Sequence, residues 1–477
     1  MSDHSAQSLA ALKKIMLIST LGGLLFGYDT GVVNGALPFM AAPDQLNLDP
    51  LQEGIVVSSL LVGAALGALC GGKLADMQGR KPNILLLSLL FFAATLGCSL
   101  APSYEVMVVF RFVLGLAVGG SSVTVPAYLA EISPADRRGR MVTQNELMIV
   151  TGQFLAFVFN AIIAVALAGD PHVWRYMLSV AAIPAIALFI GIRFCPESPR
   201  WLVANGRISK SLAILEKIRA TKERAIAELN EIEDNLMVLA RQDRVRLQEL
   251  GEGWVMRILL IGTGIACFSQ LTGVNSIMYY GSQVLHEAGF SQQAAIIANT
   301  LNGLASVIGT STGIYLMTKI CRRTMLTVGF CGTTISLTLI AVMSNLISSE
   351  PIFPYVVLAL TVSFLLFMQG CIGPILWLSI SEIIPLRFRG VGMGICVLFV
   401  WVTNFVIGLL FPSLLAGFGL ETTFLIFGVI GLASIVFTRF FVPETMGKTL
   451  EEIEDEFRHY DPKVLHARGK HFQAGVE

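Results

Sequence analysis

Long apolar runs separated by short polar loops dominate the chain. Residues 258–285, 324–349 and 390–420 run for 28, 26 and 31 positions without a Lys, Arg, Asp or Glu. About 20 such residues cross the hydrocarbon core of a bilayer as a helix. Stretches near 15–40, 54–75, 82–101, 105–130, 141–168, 175–195, 254–285, 291–318, 324–347, 353–384, 390–416 and 421–441 therefore predict twelve transmembrane helices. Residues 198–252 break the pattern. They are polar, with Leu212, Leu215, Ile218 and then Leu229, Ile232, Leu236, Leu239 at helical spacing, and predict two or three short amphipathic helices. The tail from 442 is polar too, and Thr449–Phe457 reads as a helix start with acidic residues in its first turn.

Basic residues sort between alternate loops. Lys73, Arg80 and Lys81, then Arg137, Arg138 and Arg140, then Lys319, Arg322 and Arg323, then Arg387 and Arg389 share one side. The opposite loops, 41–53, 101–104, 168–173, 286–292, 344–353 and 417–421, hold no Lys or Arg. The positive-inside bias makes the first set cytoplasmic and puts both termini there. Arg175, beside Trp174 at an outer helix start, is the nearest exception. Lys13 and Lys14 precede an apolar stretch too long for a cleavable signal. A multi-pass protein of a bacterial inner membrane is the expectation.

Composition agrees and narrows the chemistry. Only 14% of the 477 residues are charged, against about 25% in soluble domains. Net charge is zero, which gives no electrostatic case for nucleic acid. Eight cysteines lie in or beside apolar runs without a C-x-x-C pair and read as small buried hydrophobes. The six histidines fall in loops and tails. With no nucleophile arrangement, metal set or phosphate loop, neither an enzyme nor a bound cofactor is expected.

An internal repeat fixes the architecture. Ala-Glu-Ile-Ser-Pro at 130–134 returns as Ser-Glu-Ile-Ile-Pro at 381–385, Gly79-Arg80-Lys81 as Cys321-Arg322-Arg323, and Pro196-Glu197-Ser198 as Pro443-Glu444-Thr445. Three motifs recur in order on the same side of the membrane. Parallel repeats of six spans imply an all-α membrane protein of two pseudo-symmetric six-helix bundles, with a substrate site between them near mid-membrane. The divisions expected are a bundle at 1–197, a cytoplasmic helical linker at 198–252, a bundle at 253–441 and a tail at 442–477.

Four motifs are familiar: Gly-Lys-Leu-Ala-Asp-Met-Gln-Gly-Arg-Lys at 72–81, Pro-Glu-Ser-Pro-Arg-Trp at 196–201, Gln-Leu-Thr-Gly-Val-Asn at 270–275 and Pro-Glu-Thr-Met-Gly-Lys-Thr-Leu-Glu-Glu-Ile at 443–453. The chain resembles the sugar porter family of the major facilitator superfamily over essentially its whole length. Residues 22–40 and 142–150 are most similar to bacterial proton-coupled myo-inositol transporters.

Asp29 sits among Leu24, Leu25, Phe26, Val32 and Val33 inside the first span. A charge at that depth costs about 2.5–3.5 kcal/mol on insertion scales, which marks it as functional by default. Arg111 is the only basic residue within the fourth span and lies toward the same outer part, so the two can pair. Changing their separation would change the proton affinity of the carboxyl. The resemblance implies that this pair couples protons to transport; a static pair fixing two helices is the alternative.

A sugar or cyclic polyol needs amides and hydroxyls in otherwise dry walls, with aromatic rings against its C–H face. The intramembrane candidates are Gln153, Gln270, Asn275, Tyr279, Tyr280, Trp377, Trp401 and Asn404. Gln270, Asn275 and Tyr279 share a helix face or flank a break at Gly273. The resemblance places Gln153, Gln270, Asn275, Tyr279, Trp377 and Trp401 on family sugar-contact positions. Three polar family positions are trimmed: Ser269 replaces a Gln, Ser306 an Asn (with Asn302 one turn away), and Val400 a polar residue. For each amide the alternative is an interhelical hydrogen bond.

Asp76, Arg80, Glu131, Arg138 and Glu197 gather at the inner ends of the first half, and Arg322, Arg323, Glu382, Arg389 and Glu444 at those of the second. The resemblance makes them a cytoplasmic gate that biases two states. Thr318-Lys319 and Cys321 depart from the family pattern, which points to a looser second-half latch. The resulting expectation is a monomeric importer of a sugar or cyclic polyol, foremost myo-inositol, coupled to protons by alternating access. A hexose or pentose symporter, a passive facilitator and a non-transporting nutrient sensor are the alternatives.

Overall fold

The computed structural model describes residues 2–134, 138–241, 247–448 and 450–458. Arg137 and Thr449 lie outside them, and so do the side chains of Arg138 and Arg140. The first half contains α1 (Ser2–Met40), α2 (Pro50–Gln78), α3 (Arg80–Ser99), α4 (Tyr104–Ile132) and α5 (Arg138–Ala166). Its sixth span is made of α6 (Val173–Ser179) and α7 (Ala182–Ile192). Three short helices follow, α8 (Pro199–Ala204), α9 (Ile208–Ile218) and α10 (Lys222–Arg241).

The second half is less regular. Its first span is split into α11 (Gly253–Leu271) and α12 (Val274–Glu287), and then come α13 (Gln292–Leu316) and α14 (Arg322–Ile347). The tenth span is α15 (Phe353–Phe367) and α16 (Gly373–Ile383), joined by a π-helical turn at Met368–Ile372. A run at α17 (Arg389–Phe441) supplies spans eleven and twelve, because Gly419 breaks it with φ 72° and ψ 179°. Twelve spans in two six-helix bundles result, with a terminal helix α18 (Leu450–Arg458) packed on α11 and α16.

Glycine sets how closely the spans approach. A Cβ on Gly27 would lie 1.7 Å from the Ile149 carbonyl oxygen, and one on Gly119 1.9 Å from that of Ala64. The pairs α1–α5 and α2–α4 therefore pack backbone against backbone, as small residues allow in lipid. The cysteines are only in part the buried hydrophobes expected: Cys98, Cys195 and Cys396 are buried, Cys267, Cys321, Cys331 and Cys371 are half-buried, and Cys70 is exposed on α2.

Three seams join the halves: α1 with α12, α2 with α17, and α5 with α13. The halves also meet closely at the end whose loops lack basic residues. Gln283 Nε2 donates to Glu53 at 2.7 Å and Gln293 Nε2 to the Ala164 carbonyl at 2.8 Å. A Cβ on Gly54 would lie 2.2 Å from the Leu409 carbonyl oxygen. At the opposite, basic end the charged clusters close within their own halves, as described below.

The linker rides on the first half. Trp201 Nε1 donates to the Asp76 carbonyl at 2.7 Å, and buried Arg219 donates to the Ile132 carbonyl at 3.1 Å while pairing with Glu228. Arg219 thus satisfies a carbonyl left free at the end of α4.

Candidate functional site

Asp29 of α1 and Arg111 of α4 meet inside the first half. Arg111 Nη1 donates to both Asp29 carboxylate oxygens, at 3.1 and 3.2 Å, and its Nε donates to the Val56 carbonyl of α2 at 3.3 Å. Both side chains are 2% exposed. A buried ion pair is tolerable when further hydrogen bonds satisfy its remaining donors, and the Val56 carbonyl takes that of Nε. The pair links three helices of one half through charge.

On α1, Phe26, Thr30 and Asn34 recur every four residues along one face, and Phe26 and Asn34 of it meet the second half at α17 and at α12 and α13. Gln153 Nε2 donates to Thr30 Oγ1 at 3.1 Å, and the Phe26 ring lies 6.2 Å from that of Trp401, tilted by 37°. Gln153 of α5 and Trp401 of α17 therefore bracket one turn of α1 from opposite halves.

The split seventh span arranges the other amides. Gly273 adopts φ 84°, a left-handed conformation that favours glycine. Across this break Asn275 Nδ2 donates to Gln270 Oε1 at 2.7 Å, while Gln270 Nε2 reaches Ser269 Oγ at 3.3 Å. Four residues on, Tyr279 accepts from Asn404 Nδ2 of α17 at 3.2 Å. Tyr280 has a structural role: its hydroxyl donates to the Gly408 carbonyl at 2.6 Å and its ring stacks on Phe411. Trp377 packs half-buried on α16. Among the described residues, Gln153 Oε1 and Asn404 Oδ1 are buried oxygens without a donor, as are the amide oxygens of Asn145, Asn160 and Asn302.

Two residues escaped the sequence reading. Asn34 Nδ2 donates to the carbonyls of Ile277 and Met278 at 3.2 and 2.8 Å, and its Oδ1 accepts from the Ser282 amide at 3.0 Å and Asn299 Nδ2 at 3.2 Å. It clamps α1 to α12 and α13; its four-residue spacing from Thr30 was the available signal. Glu146 lies seven residues before Gln153 and eleven before Phe157 on one face of α5. Phe157 of that face touches Gly303 of α13 in the other half, whereas Glu146 is exposed. It is an ionisable residue inside a span, the same criterion that singled out Asp29.

The charged motifs form one arrangement twice. Arg80 pairs with Glu131 at 2.8 Å, Ser198 Oγ donates to Glu131, and Glu197 accepts from the backbone amides of Arg80, Lys81 and Ser198. In the second half Arg322 pairs with Glu382 at 3.2 Å, Thr445 Oγ1 donates to Glu382, and Glu444 accepts from the amides of Arg322, Arg323, Thr445 and Met446. Each glutamate thus caps the helix that its arginine begins. Burial lifts the Glu197 carboxyl above its usual range, against the pull of the three amides and Arg80. Asp76 adds a second pair to Arg80 at 2.8 Å, while Thr318 stands at the matching place before Arg322. Arg389 donates to the Ser381 carbonyl of its own half at 3.1 Å.

Residues 15–457 match the family model described as "Sugar (and other) transporter". The chain belongs to this family. It is 54% identical to the Major myo-inositol transporter IolT of Bacillus subtilis, over 96% of this chain and 97% of that one. It is 36% identical to the D-xylose transporter of Levilactobacillus brevis, over 93% and 95%. Identity to the Galactose-proton symporter of Escherichia coli is 34%, over 92% and 93%. Among solved structures, the inward open conformation of the E. coli xylose transporter XylE superposes with a TM-score of 0.81, at 27% identity over 93% of this chain and 99% of that one. XylE bound to 6-bromo-6-deoxy-D-glucose gives 0.76, at 29% identity over 94% and 100%. This transporter is therefore a multi-pass membrane protein of sugar transport and not an enzyme.

Proposed function

We propose that the protein imports a cyclic polyol, foremost myo-inositol, together with protons, by rocking its two halves about a site near mid-membrane. The unpaired acceptors carry this reading. Gln153 Oε1 and Asn404 Oδ1 lack donors, and Glu146 adds an acceptor-only carboxylate on the face of α5 that looks toward the other half. A ligand with a hydroxyl on every carbon supplies the donors that such oxygens lack. Trp401 and Phe26 offer apolar faces to its C–H side. The 54% identity to a transporter named for myo-inositol supports the same ligand.

In this reading Gln153, Gln270, Asn275, Tyr279, Trp377, Trp401 and Asn404 hold the substrate. Asp29 takes up a proton when rocking loosens its contact with Arg111, and this makes the inward passage of the loaded carrier depend on the proton gradient. The clusters around Glu131 and Glu382 form the gate at the basic end. The rigid bodies are residues 1–197 and 253–441, with 198–252 and the tail at 442–477 on one side. By the bias of basic loops, that side and both termini are cytoplasmic in a bacterial inner membrane, and one chain suffices for transport. Relatives named for xylose, glucose and galactose favour a hexose or pentose symporter as the second reading.

The test is uptake of labelled myo-inositol against glucose in proteoliposomes, with and without an inward proton gradient. Gradient-driven myo-inositol accumulation is the expected result. Glucose equilibration that ignores the gradient overturns both the ligand and the coupling.

A further inference from the structure

The rim of the basic end carries cations that the transport site does not use. In the first half they come from three helices. Lys81 is the second residue of α3, and its Nζ donates to the Arg193 carbonyl at 2.8 Å. Arg193, just past α7, holds its guanidinium 4.2 Å from the Phe189 ring centroid. Lys14 of α1 lies 5.8 Å over the Phe194 ring. The Cys195 thiol feels both the Lys81 and Lys14 ammoniums, although burial lifts it to about 11. Lys14 and Arg193 are exposed, and Phe194 is 73% exposed. The nearby carboxylate, Glu197, is occupied by backbone amides.

The second half repeats this feature. Arg323, second residue of α14, donates to the Arg439 carbonyl, and exposed Arg439 is followed by Phe440 and Phe441, 60% and 57% exposed. An Arg-Phe pair thus precedes Pro196-Glu197 and Pro443-Glu444 alike. In the first half, α3 and α7 pack on each other and α7 on α1, away from the seams that join the halves.

We propose that each rim cluster binds the phosphate of an anionic phospholipid in the leaflet at the basic end. Lys81 spends one of three donors on the Arg193 carbonyl and keeps the others for a phosphate oxygen. The stacked guanidinium of Arg193 leaves its planar donor fork free for two oxygens of the same phosphate. The exposed phenylalanines stand where acyl chains meet headgroups, and basic pockets between helices at such a surface are selective for anionic lipid.

Native mass spectrometry of the full-length protein from phosphatidylcholine nanodiscs, titrated with phosphatidylglycerol, tests this. Two phosphatidylglycerol molecules are expected to persist where phosphatidylcholine is lost. Lys14→Ala with Arg193→Ala should leave one, and adding Arg439→Ala should leave none. Each neutralised cation should weaken retention about five-fold. Lys14→Ala alone, on an exposed side chain, gives the same reading if the multiple variants fail to fold. Equal retention of the two lipids, variants that retain both molecules, or displacement by inorganic phosphate at matched concentration overturns the assignment.

Discussion

Arg111 bridges both carboxylate oxygens of Asp29 at 3.1 and 3.2 Å, with each side chain 2% exposed. Neither charge has water to fall back on. Removing one partner of a buried pair leaves the other uncompensated, at a cost of about 3–5 kcal/mol. Asp29→Asn is expected to abolish uphill accumulation while retaining counterflow exchange, and to lower thermal stability. Asp29→Asn with Arg111→Gln should recover stability without recovering accumulation. Substrate concentrated by Asp29→Asn in the presence of a gradient would show that the pair is only structural.

Asn34 makes four hydrogen bonds across the seam between α1 and the pair α12 and α13. At about 1 kcal/mol net for each, their loss should shift the population toward opening at the end without basic loops by ten-fold or more. Spin-label distances between the ends of α1 and α12 on the side without basic loops, in Asn34→Ala, check this. An unchanged distance distribution would remove Asn34 from gating.

Much of the fold was legible before the structure because lipid imposes one rule: every backbone group must be paired inside a helix. Twelve helical spans followed from it, while the two sides came from the loop charges and the two halves from the repeated Glu131 and Glu382 motifs. The site was legible only in part. Asn275 and Gln270 could be placed near each other, but their 2.7 Å bond depends on a left-handed Gly273 that spacing alone does not require. Asn34 carries no local signal of its role, since its partners are three backbone groups and the Asn299 side chain, all more than 240 residues away. Pairing within each half, as for Arg80 with Glu131 and Arg322 with Glu382, depends on packing that no local pattern encodes.

Gly273 carries a separate expectation. An L side chain at φ 84° costs about 1–2 kcal/mol, and its Cβ would lie 3.1 Å from the Phe427 ring. Gly273→Ala should therefore lower the melting temperature and, by moving Asn275 relative to Gln270, raise KM more than it lowers kcat. If KM stays constant while stability falls, the break serves the fold and not the site.

On the proposed reading, Glu146 should distinguish a polyol from a pyranose sugar. A carboxylate only accepts, whereas a glutamine of the same length offers one acceptor and two donors. Hydrogen bonds to a charged group are worth about 1.5–3 kcal/mol, which is ten-fold or more in affinity. Glu146→Gln should then raise KM for myo-inositol at least ten-fold and change KM for glucose much less, because the ring oxygen of a pyranose can accept from the new amide. Glu146→Ala should weaken both. These KM values, measured at fixed proton gradient, decide the role: equal losses for the two substrates in Glu146→Gln would place the carboxylate in general solvation of the cavity, and an unchanged myo-inositol KM would remove it from the substrate path.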